Sequence, residues 1–247
     1  MAEKLISAEH IYKSFQHIKA LRDVSIDVES DRITAIVGDN GSGKSTFIKI
    51  LSGSLRPDSG EIRIGDKKHS FLTVSDAIAA GIRTVYQDLS LDNCKDSVEN
   101  IFLGDEMMRG IFLDRKAMRE EAARLLEEIR VSIPDLSEPV RNLSGGQRQG
   151  VAIARALRRP GKLLLLDEPT AAMGIQESRR TVNMLKLLKE RGMAQLIISH
   201  NLNQVFEIAD HIYVMRAGEI LASVAASETS PEELRELILR REDERIN

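Results

Sequence analysis

Residues 38–46 carry the strongest chemical signal in the chain, a glycine-rich run that ends in lysine, serine and threonine. Glycines at these spacings let backbone N–H groups curl around phosphate oxygens, and a helix that starts there adds a partial positive charge. Lys44 is expected to meet the β and γ oxygens of a nucleotide, and Ser45 to ligate Mg²⁺. The alternative is a glycine-rich turn without a ligand. The predicted phosphate-binding residues are Gly38, Asp39, Asn40, Gly41, Ser42, Gly43, Lys44, Ser45 and Thr46.

Two adjacent carboxylates, Asp167 and Glu168, follow an apolar run at 163–166. In a doubly wound α/β sheet, the carboxyl ends of the strands border the ligand crevice. Asp167 is expected to hold Mg²⁺ through its water shell, and Glu168 to orient and polarise a water for attack on the γ-phosphate. His200 follows the apolar run 196–199 and is expected to contact that phosphate. The alternatives are helix capping for the carboxylates and a structural role for the histidine.

Strands and helices must bring these residues to one place, and the hydrophobic pattern predicts where they lie. Short apolar runs at 33–37, 163–166 and 195–199 are typical of strands that are buried on both faces of a parallel sheet. Runs in which apolar and polar residues alternate or mix predict strands with one solvent-exposed face, and Gly/Asp or Ala/Gly pairs predict turns. The other predicted elements are strands at 5–8 and 25–28, a helix at 45–52, a hairpin strand at 60–66, and a closing hairpin around 217–218.

A change to helical periodicity between residues 89 and 160 indicates a helical insertion within this sheet protein. Its clearest helix is expected at 115–130, where apolar residues recur on one face of a charged sequence. A last helix is expected after Ser230, because Ser230, Pro231 and Glu233 form a capping box. The chain is therefore predicted to be an α/β protein with a parallel sheet.

Composition limits the function classes. The chain has 247 residues and a formal net charge of −3, so no basic excess indicates a nucleic-acid partner. Cys94 is the single cysteine, which excludes an internal disulfide framework and a cysteine-cluster metal site. No apolar run approaches the roughly 20 residues that a membrane-spanning helix needs, and no signal peptide is recognisable. The sequence alone therefore predicts a soluble, intracellular protein.

A second distinctive motif comes about a hundred residues after the first, at Leu143, Ser144, Gly145, Gly146 and Gln147. It precedes a predicted helix at 147–158, so its donors and the helix dipole form a second anion site. One chain cannot close this site on its own phosphate loop. With both motifs present in this order, the chain resembles the ATPase subunits of ABC transporters over essentially its whole length.

The resemblance implies an ABC-type P-loop NTPase fold, with a RecA-like parallel sheet core, an antiparallel β subdomain and an inserted helical subdomain. The implied division of the single domain is 1–88 and 161–229 for the sheet core with the β subdomain, 89–160 for the helical subdomain and 230–247 for the C-terminal helix. ATP and Mg²⁺ are the implied cofactors. Phe15 corresponds to the family's adenine-stacking aromatic, with Tyr12 as competitor, and Gln87 to the glutamine that contacts magnesium or the attacking water.

In the family, two copies pair head to tail, so that each signature covers the ATP held by the other subunit. The implied nucleotide contacts across this pair come from Ser144, Gly145, Gly146 and Gln147. One departure is visible, because Gly174 stands where many family members have an aspartate. The missing carboxylate removes a usual contact across the dimer, which leaves more of the closure to the signature.

Several stretches resemble the ATPases of bacterial monosaccharide importers of the ribose, xylose and fructose type. They are residues 38–41, 86–91, 171–178 and 199–202. This resemblance implies a second copy of the chain, transmembrane permease subunits, an extracytoplasmic sugar-binding protein, and a peripheral position on the cytoplasmic face of the plasma membrane. A tail of about fifteen residues after the last cap is expected to be too short for a regulatory β-domain. Candidate permease contacts, beside Gln87, are Leu91, Asp92, Asn93, Val98 and Phe102; the alternative for each is a position in the core or on a surface without a partner.

Other functions stay open at this point. A soluble ABC ATPase in repair, chromosome maintenance or translation is one alternative, although no sustained heptads occur between residues 52 and 142. An importer for a different small solute is another. A module that switches on ATP without hydrolysis is opposed by the intact Glu168.

Overall fold

A computed structural model describes residues 3–239. In chain order, the strands are β1 (Lys4–Phe15), β2 (Ile18–Glu29), β3 (Ile33–Val37), β4 (Ser59–Ile64), β5 (Lys67–His69), β6 (Ile82–Val85), β7 (Met108–Arg109), β8 (Phe112–Leu113), β9 (Leu163–Asp167), β10 (Ala194–Ile198), β11 (His211–Arg216) and β12 (Glu219–Ala225). The α-helices are α1 (Lys44–Leu51), α2 (Val74–Ala79), α3 (Ser97–Phe102), α4 (Arg115–Glu128), α5 (Gly145–Leu157), α6 (Ile175–Glu190), α7 (Leu202–Ile208) and α8 (Pro231–Leu239).

The main sheet has the strand order β12-β11-β3-β10-β9-β6. All neighbouring pairs are parallel except β11 and β12, which form the predicted antiparallel hairpin at one edge. Every residue of β3, β9 and β10 is buried, as expected for strands covered on both faces. The predicted α/β fold with a parallel sheet is confirmed.

A second, antiparallel sheet has the order β2-β1-β4-β5. Its first two strands each span 12 residues, so the short strands expected at 5–8 and 25–28 were wrong in length. The register between β1 and β2 shifts repeatedly. His10 and Asp23 lie in these shifted parts with positive φ angles of 54° and 57°. These irregularities interrupt the two-residue alternation, which is why the sequence pattern hides most of each strand.

Between β6 and β9 the chain is mainly helical and contains α3, α4, α5 and the short hairpin β7–β8. The helix expected at 115–130 is present at Arg115–Glu128, with Met118, Ala122, Leu125 and Leu126 on its buried face. The last helix begins as predicted, because Glu233 donates its N–H to Ser230 Oγ at 3.2 Å. Residues 240–247 of the expected tail lie outside the described residues. In the part of the chain that the structure describes, no helix is long and apolar enough to cross a membrane.

The parallel register places the predicted chemical residues at one edge of the main sheet. Ile36 pairs with Ile198, and Ile198 pairs with Asp167. The chain therefore leaves β3, β10 and β9 at the same level, and the phosphate loop, His200 and Glu168 follow these three strand ends. This edge is where a sheet of this type binds ligands.

Candidate nucleotide site

The phosphate loop joins β3 to α1 and needs glycine at two points for steric reasons. Gly43 has φ 107°, and a Cβ there would lie 2.5 Å from the Ala20 carbonyl oxygen and 2.8 Å from Leu21 Cδ2. At Gly38, a Cβ would lie 1.9 Å from the Met215 carbonyl oxygen. The loop is therefore pressed against both sheets, and any side chain at these positions would displace it.

Lys44 lies inside the loop and is buried. Its ammonium donates to the carbonyl oxygens of Gly38 at 2.8 Å and Asp39 at 2.7 Å. Burial lowers the pKa of Lys44, and the nearby carboxylates of Glu168 and Asp167 oppose that shift. The Lys44 ammonium is thus held where the loop would bind phosphate oxygens.

Ser45 and Asp167 meet at the metal position that the sequence predicts. The Ser45 hydroxyl donates to Asp167 Oδ1 at 3.2 Å. Burial raises the pKa of the Asp167 carboxyl, and the hydrogen bond from Ser45 partly offsets this rise.

The donor set suits Mg²⁺, because hydroxyl and carboxylate oxygens are hard ligands. No group of three or more His, Cys, Asp or Glu side chains within residues 3–239 is arranged to hold a metal ion. Mg²⁺ usually keeps several waters and binds through one or two carboxylates together with substrate phosphates. Ser45 and Asp167 therefore fit an ion that binds with a nucleotide.

Glu168 follows β9 in a strained conformation. Its φ is 52°, and its N–H donates to the Ile198 carbonyl oxygen at 3.0 Å. Left-handed backbone at a non-glycine residue costs about 1–3 kcal/mol and persists where the surroundings enforce it. The Glu168 side chain is only 10% exposed, and its Oε2 lies 2.8 Å from Nδ1 of His200, which is 64% exposed. A shielded carboxylate and an accessible imidazole are thus in close contact at the sheet edge.

A cleft of ≈ 460 Å³, here called the phosphate cleft, brings most of these residues together. Its lining includes Lys44, Ser45, Gln87, Glu168 and His200. The pairing of sequence-distant residues at one cavity is the arrangement expected for nucleotide hydrolysis.

Sequence reasoning missed one wall of the phosphate cleft, which is contributed by β2 and by the turn between β11 and β12. These residues are Ile18, Lys19, Ala20, Arg22 and Ala217. No motif marks them. The exposure of Ile18, at 71%, is a feature of the folded protein that the sequence does not show.

Phe15 does not line the phosphate cleft itself. It pairs directly with Ile18 across the β1–β2 turn, and directly opposed residues of an antiparallel pair share a face. The Phe15 ring is 45% exposed, and the Lys13 ammonium lies 5.6 Å from its centroid. Phe15 therefore extends the wall that Ile18 begins, at a position where a flat ring system could stack.

The signature, residues 143–147, starts α5. Ser144 caps this helix, since the Gln147 N–H donates to Ser144 Oγ at 3.4 Å and the Ser144 N–H donates to Gln147 Oε1 at 3.0 Å. Gln147 Nε2 also donates to the Ser132 carbonyl oxygen at 3.0 Å. Within the described chain, the phosphate cleft contains no signature residue. The structure therefore does not bring the two predicted halves of the nucleotide site together in one copy.

Gly174 precedes α6 and lies beside the signature. Its N–H donates to Glu177 Oε2 at 3.4 Å. Glu177 also packs against the signature glycines, because a Cβ at Gly145 would lie 3.4 Å from Glu177 Oε2 and one at Gly146 would lie 3.5 Å from Glu177 Cβ. The start of α6 and the signature therefore form one continuous surface.

A groove of ≈ 450 Å³ separates the helical insertion from the sheet; we call it the insertion groove. Its lining includes the exposed apolar residues Val74, Ile78 and Leu103. At its polar end, Asp105 forms ion pairs with Arg158 and Arg159.

The structure corrects two of the residues expected to contact a permease. Phe102 is fully buried and Val98 is buried, because the apolar face of α3 packs into the core with α4 and α5. Asp92 and Asn93 are exposed and Leu91 is partly buried, but all three lie outside the lining of the insertion groove.

Comparison with known proteins decides the family. The sequence profile of the ABC transporter family matches residues 21–171. The chain belongs to the ABC transporter family. It is therefore an ATP-binding protein and an ATPase, and the family resemblance of its two motifs is confirmed.

Two curated relatives match nearly the whole chain. The xylose/arabinose import ATP-binding protein of Sulfolobus acidocaldarius is 44% identical over 95% of this chain and 93% of its own length. The fructose import ATP-binding protein of Rhizobium meliloti is 41% identical over 90% of this chain and 88% of its own.

Solved structures agree with the fold. A nucleotide-free ATP-binding cassette from an ABC transporter has a TM-score of 0.83 and 30% identity, covering 98% of this chain and 97% of that one. A dimeric cassette in a post-hydrolysis state with ADP and Pi has a TM-score of 0.77 and 26% identity, covering 90% and 98%. The predicted ABC ATPase fold is confirmed.

Proposed function

We propose that this ATPase powers the import of a monosaccharide through separate permease subunits. The relatives described above import xylose or arabinose and fructose, and their similarity extends over nearly all of this chain. The observation that carries the proposal is the phosphate cleft, where a shielded carboxylate, a histidine and a phosphate loop meet. A soluble ABC ATPase of repair, chromosomes or translation is not favoured by these relatives.

In the proposed reaction, water attacks the γ-phosphorus of ATP in line with the bond to the β–γ bridging oxygen. That bond breaks, its electron pair stays with ADP, and the products are ADP and inorganic phosphate. Glu168 orients the water and takes its proton, while His200 holds the Glu168 carboxylate and faces the γ-phosphate. Lys44 and the loop N–H groups neutralise the phosphate charge. Ser45 and Asp167 would hold Mg²⁺, which would supply further charge neutralisation; Gln87 lines the same cleft as Ser45.

The signature is proposed to act on the ATP of a second copy. In one chain the start of α5 is capped by Ser144, yet it lies outside the phosphate cleft. A helix N-terminus with adjacent glycines is suited to bind the γ-phosphate of the ATP held by a facing subunit. The dimeric state of the solved cassette described above supports pairing with a second copy. If closure of the two copies depends on the γ-phosphate of ATP, hydrolysis would reverse it.

The permease is proposed to dock in the insertion groove. Val74, Ile78 and Leu103 offer exposed apolar surface there, and the paired charges at Asp105 form a polar rim. A short amphipathic helix fits a groove of this kind. With the permease docked in this groove, the subunit would lie peripherally at the cytoplasmic face of the membrane. An extracytoplasmic sugar-binding protein completes the proposed system and selects the sugar.

The experiment that tests this function reconstitutes the chain with the permease and binding protein encoded beside it. ATPase activity and uptake are measured with xylose, arabinose, ribose and fructose. We expect at least one sugar to stimulate both activities, and Lys44→Ala to abolish them. Lys49→Ala, on the exposed side of α1, serves as the matched control. Efflux instead of uptake, or hydrolysis indifferent to every sugar, would overturn the proposal.

A further inference from the structure

Gln87 lies between two anchored segments, and the anchor on its amino-terminal side belongs to the sheet domain. Tyr86 donates its hydroxyl to Ser52 Oγ at 2.8 Å, with Ser54 Oγ at 3.2 Å, just after α1. The Tyr86 ring also packs against the apolar cluster that contains α1. The residue before Gln87 is therefore held by the helix that follows the phosphate loop.

The anchor on the other side of Gln87 belongs to the signature helix. Arg155, near the end of α5, donates through Nη2 to the Leu89 carbonyl oxygen at 2.6 Å and through Nη1 to the Ser90 carbonyl oxygen at 2.9 Å. Ser90 has a φ of 49°, a conformation that turns the chain sharply at the point of contact. Two planar N–H groups thus hold two successive carbonyls, an arrangement that an ammonium group cannot reproduce.

Further contacts tie the rest of this loop to the helical insertion. Arg148, also on α5, donates to Asn93 Oδ1 at 3.3 Å. Asn100, buried on α3, accepts from the Asp92 N–H at 2.8 Å and donates to the Asp92 carbonyl oxygen at 3.0 Å. Leu89 packs against the apolar cluster that includes α3, α4 and α5. Residues 89–93 are therefore fixed relative to α5, whereas Tyr86 is fixed relative to α1.

We propose that Arg155 is a positioning residue that sets the place of Gln87 in the phosphate cleft according to the position of the signature helix. Arg155 lies ten residues after Gly145, so α5 spans about 15 Å between the signature and this contact. A helix of this length moves as a rigid unit. When the signature binds the nucleotide of a second copy, the guanidinium carries Leu89 and Ser90 with α5, and Gln87 moves relative to Tyr86. This inference rests on the proposed function.

A double-mutant cycle tests whether Arg155 acts through Gln87. The variants are Arg155→Met, which keeps the apolar stem, Gln87→Ala, and the pair together. We expect Arg155→Met to lower kcat about tenfold, since it removes two charge-assisted hydrogen bonds, with the KM for ATP changed less than about twofold. The double variant should be no slower than the slower single variant. Arg155→Lys should recover part of the rate.

A control and a refuting result complete the cycle. Arg124→Ala removes an arginine of the same insertion that pairs with Glu121 and Glu128 of its own helix, and its kcat should equal that of the wild type. The inference would be overturned if the fold-loss of kcat in the double variant equalled the product of the losses in Gln87→Ala and Arg155→Met. An unchanged kcat in Arg155→Met would overturn it as well. Absence of ATP hydrolysis by the wild-type protein would instead contradict the proposed function.

A second measurement does not depend on hydrolysis. Amide hydrogen exchange of residues 86–93 is compared with and without ATP in Glu168→Gln, and in Glu168→Gln combined with Arg155→Met. ATP should alter the exchange of this segment in the first protein and leave it unchanged in the second. An equal response in both would refute the coupling. If Arg155→Met does not fold, Arg155→Lys takes its place in both measurements and should show the same effects at smaller size.

Discussion

Replacing Glu168 by glutamine removes a carboxylate from the phosphate cleft and leaves the volume of the side chain unchanged. The 2.8 Å contact with His200 Nδ1 can be kept, because an amide offers both a donor and an acceptor. The strained backbone at Glu168 needs no adjustment. The substitution therefore isolates one property, the ability to accept a proton from the attacking water.

The magnitude follows from the position of this carboxylate. Its side chain is 10% exposed, so bulk water has little access to replace it as base. A positioned general base contributes about 10²–10⁴ in rate. We therefore expect kcat to fall by at least about a hundredfold. ATP affinity should stay equal or rise, because the substitution removes a negative charge that lies near Lys44 and the phosphates.

The assay combines phosphate release, equilibrium ATP binding and size-exclusion chromatography with ATP and Mg²⁺. Glu168→Gln should bind ATP without turning it over and should accumulate as a dimer. Glu190→Gln, at the exposed end of α6, is the matched control and should hydrolyse ATP normally. A kcat above about a tenth of the wild-type value would show that Glu168 is not the base. Persistence of the monomer despite saturating ATP would refute the closed pair.

Two further predictions concern the walls of the site. Phe15→Ala should weaken ATP binding about tenfold or more, because stacking on an aromatic ring contributes roughly 1–3 kcal/mol per base; Tyr12→Ala should leave it unchanged in the same titration. Burial raises the folded-state pKa of Asp167 above its unfolded value of 3.8, so its contribution to the free energy of unfolding is present below that value and is lost as pH rises through the folded pKa. Above the folded pKa of Asp167, Asp167→Asn should therefore raise Tm relative to the wild type, and it should abolish Mg²⁺-dependent hydrolysis. Melting curves from pH 3 to pH 8 without nucleotide check the effect on Tm. An unchanged or lower Tm at pH 7 would contradict it.

The residues closest to the chemistry are predictable because they are contiguous in the chain. The loop that holds Lys44 and Ser45 is a local pattern, and its glycines are required at Gly38 and Gly43 by close backbone approaches. Asp167 follows an apolar run that is typical of a buried strand, and it is the last residue of β9. Parallel pairing then places this residue at the level of β3 and β10 without further information.

Other features depend on packing between distant elements. Ile18 reaches the phosphate cleft because the antiparallel sheet lies against the phosphate loop, a contact that no local pattern encodes. Val98 and Phe102 were expected at a docking surface, but the packing of α3 against α4 and α5 turns them inward. The orientation of a six-residue helix is set by its neighbours rather than by its own sequence.

The sequence by itself determined the two motifs and predicted their chemistry, since these follow from residue types at fixed spacings. The expectation of a second copy came from the resemblance to ABC transporter ATPases. Only the tertiary structure decided that Glu168 is shielded against His200, that Leu103 borders an open groove, and that Arg155 holds the loop after Gln87. The physical reason is distance along the chain. Arg155 and Leu89 are 66 residues apart, and their contact exists only because α5 packs back against the start of the helical insertion.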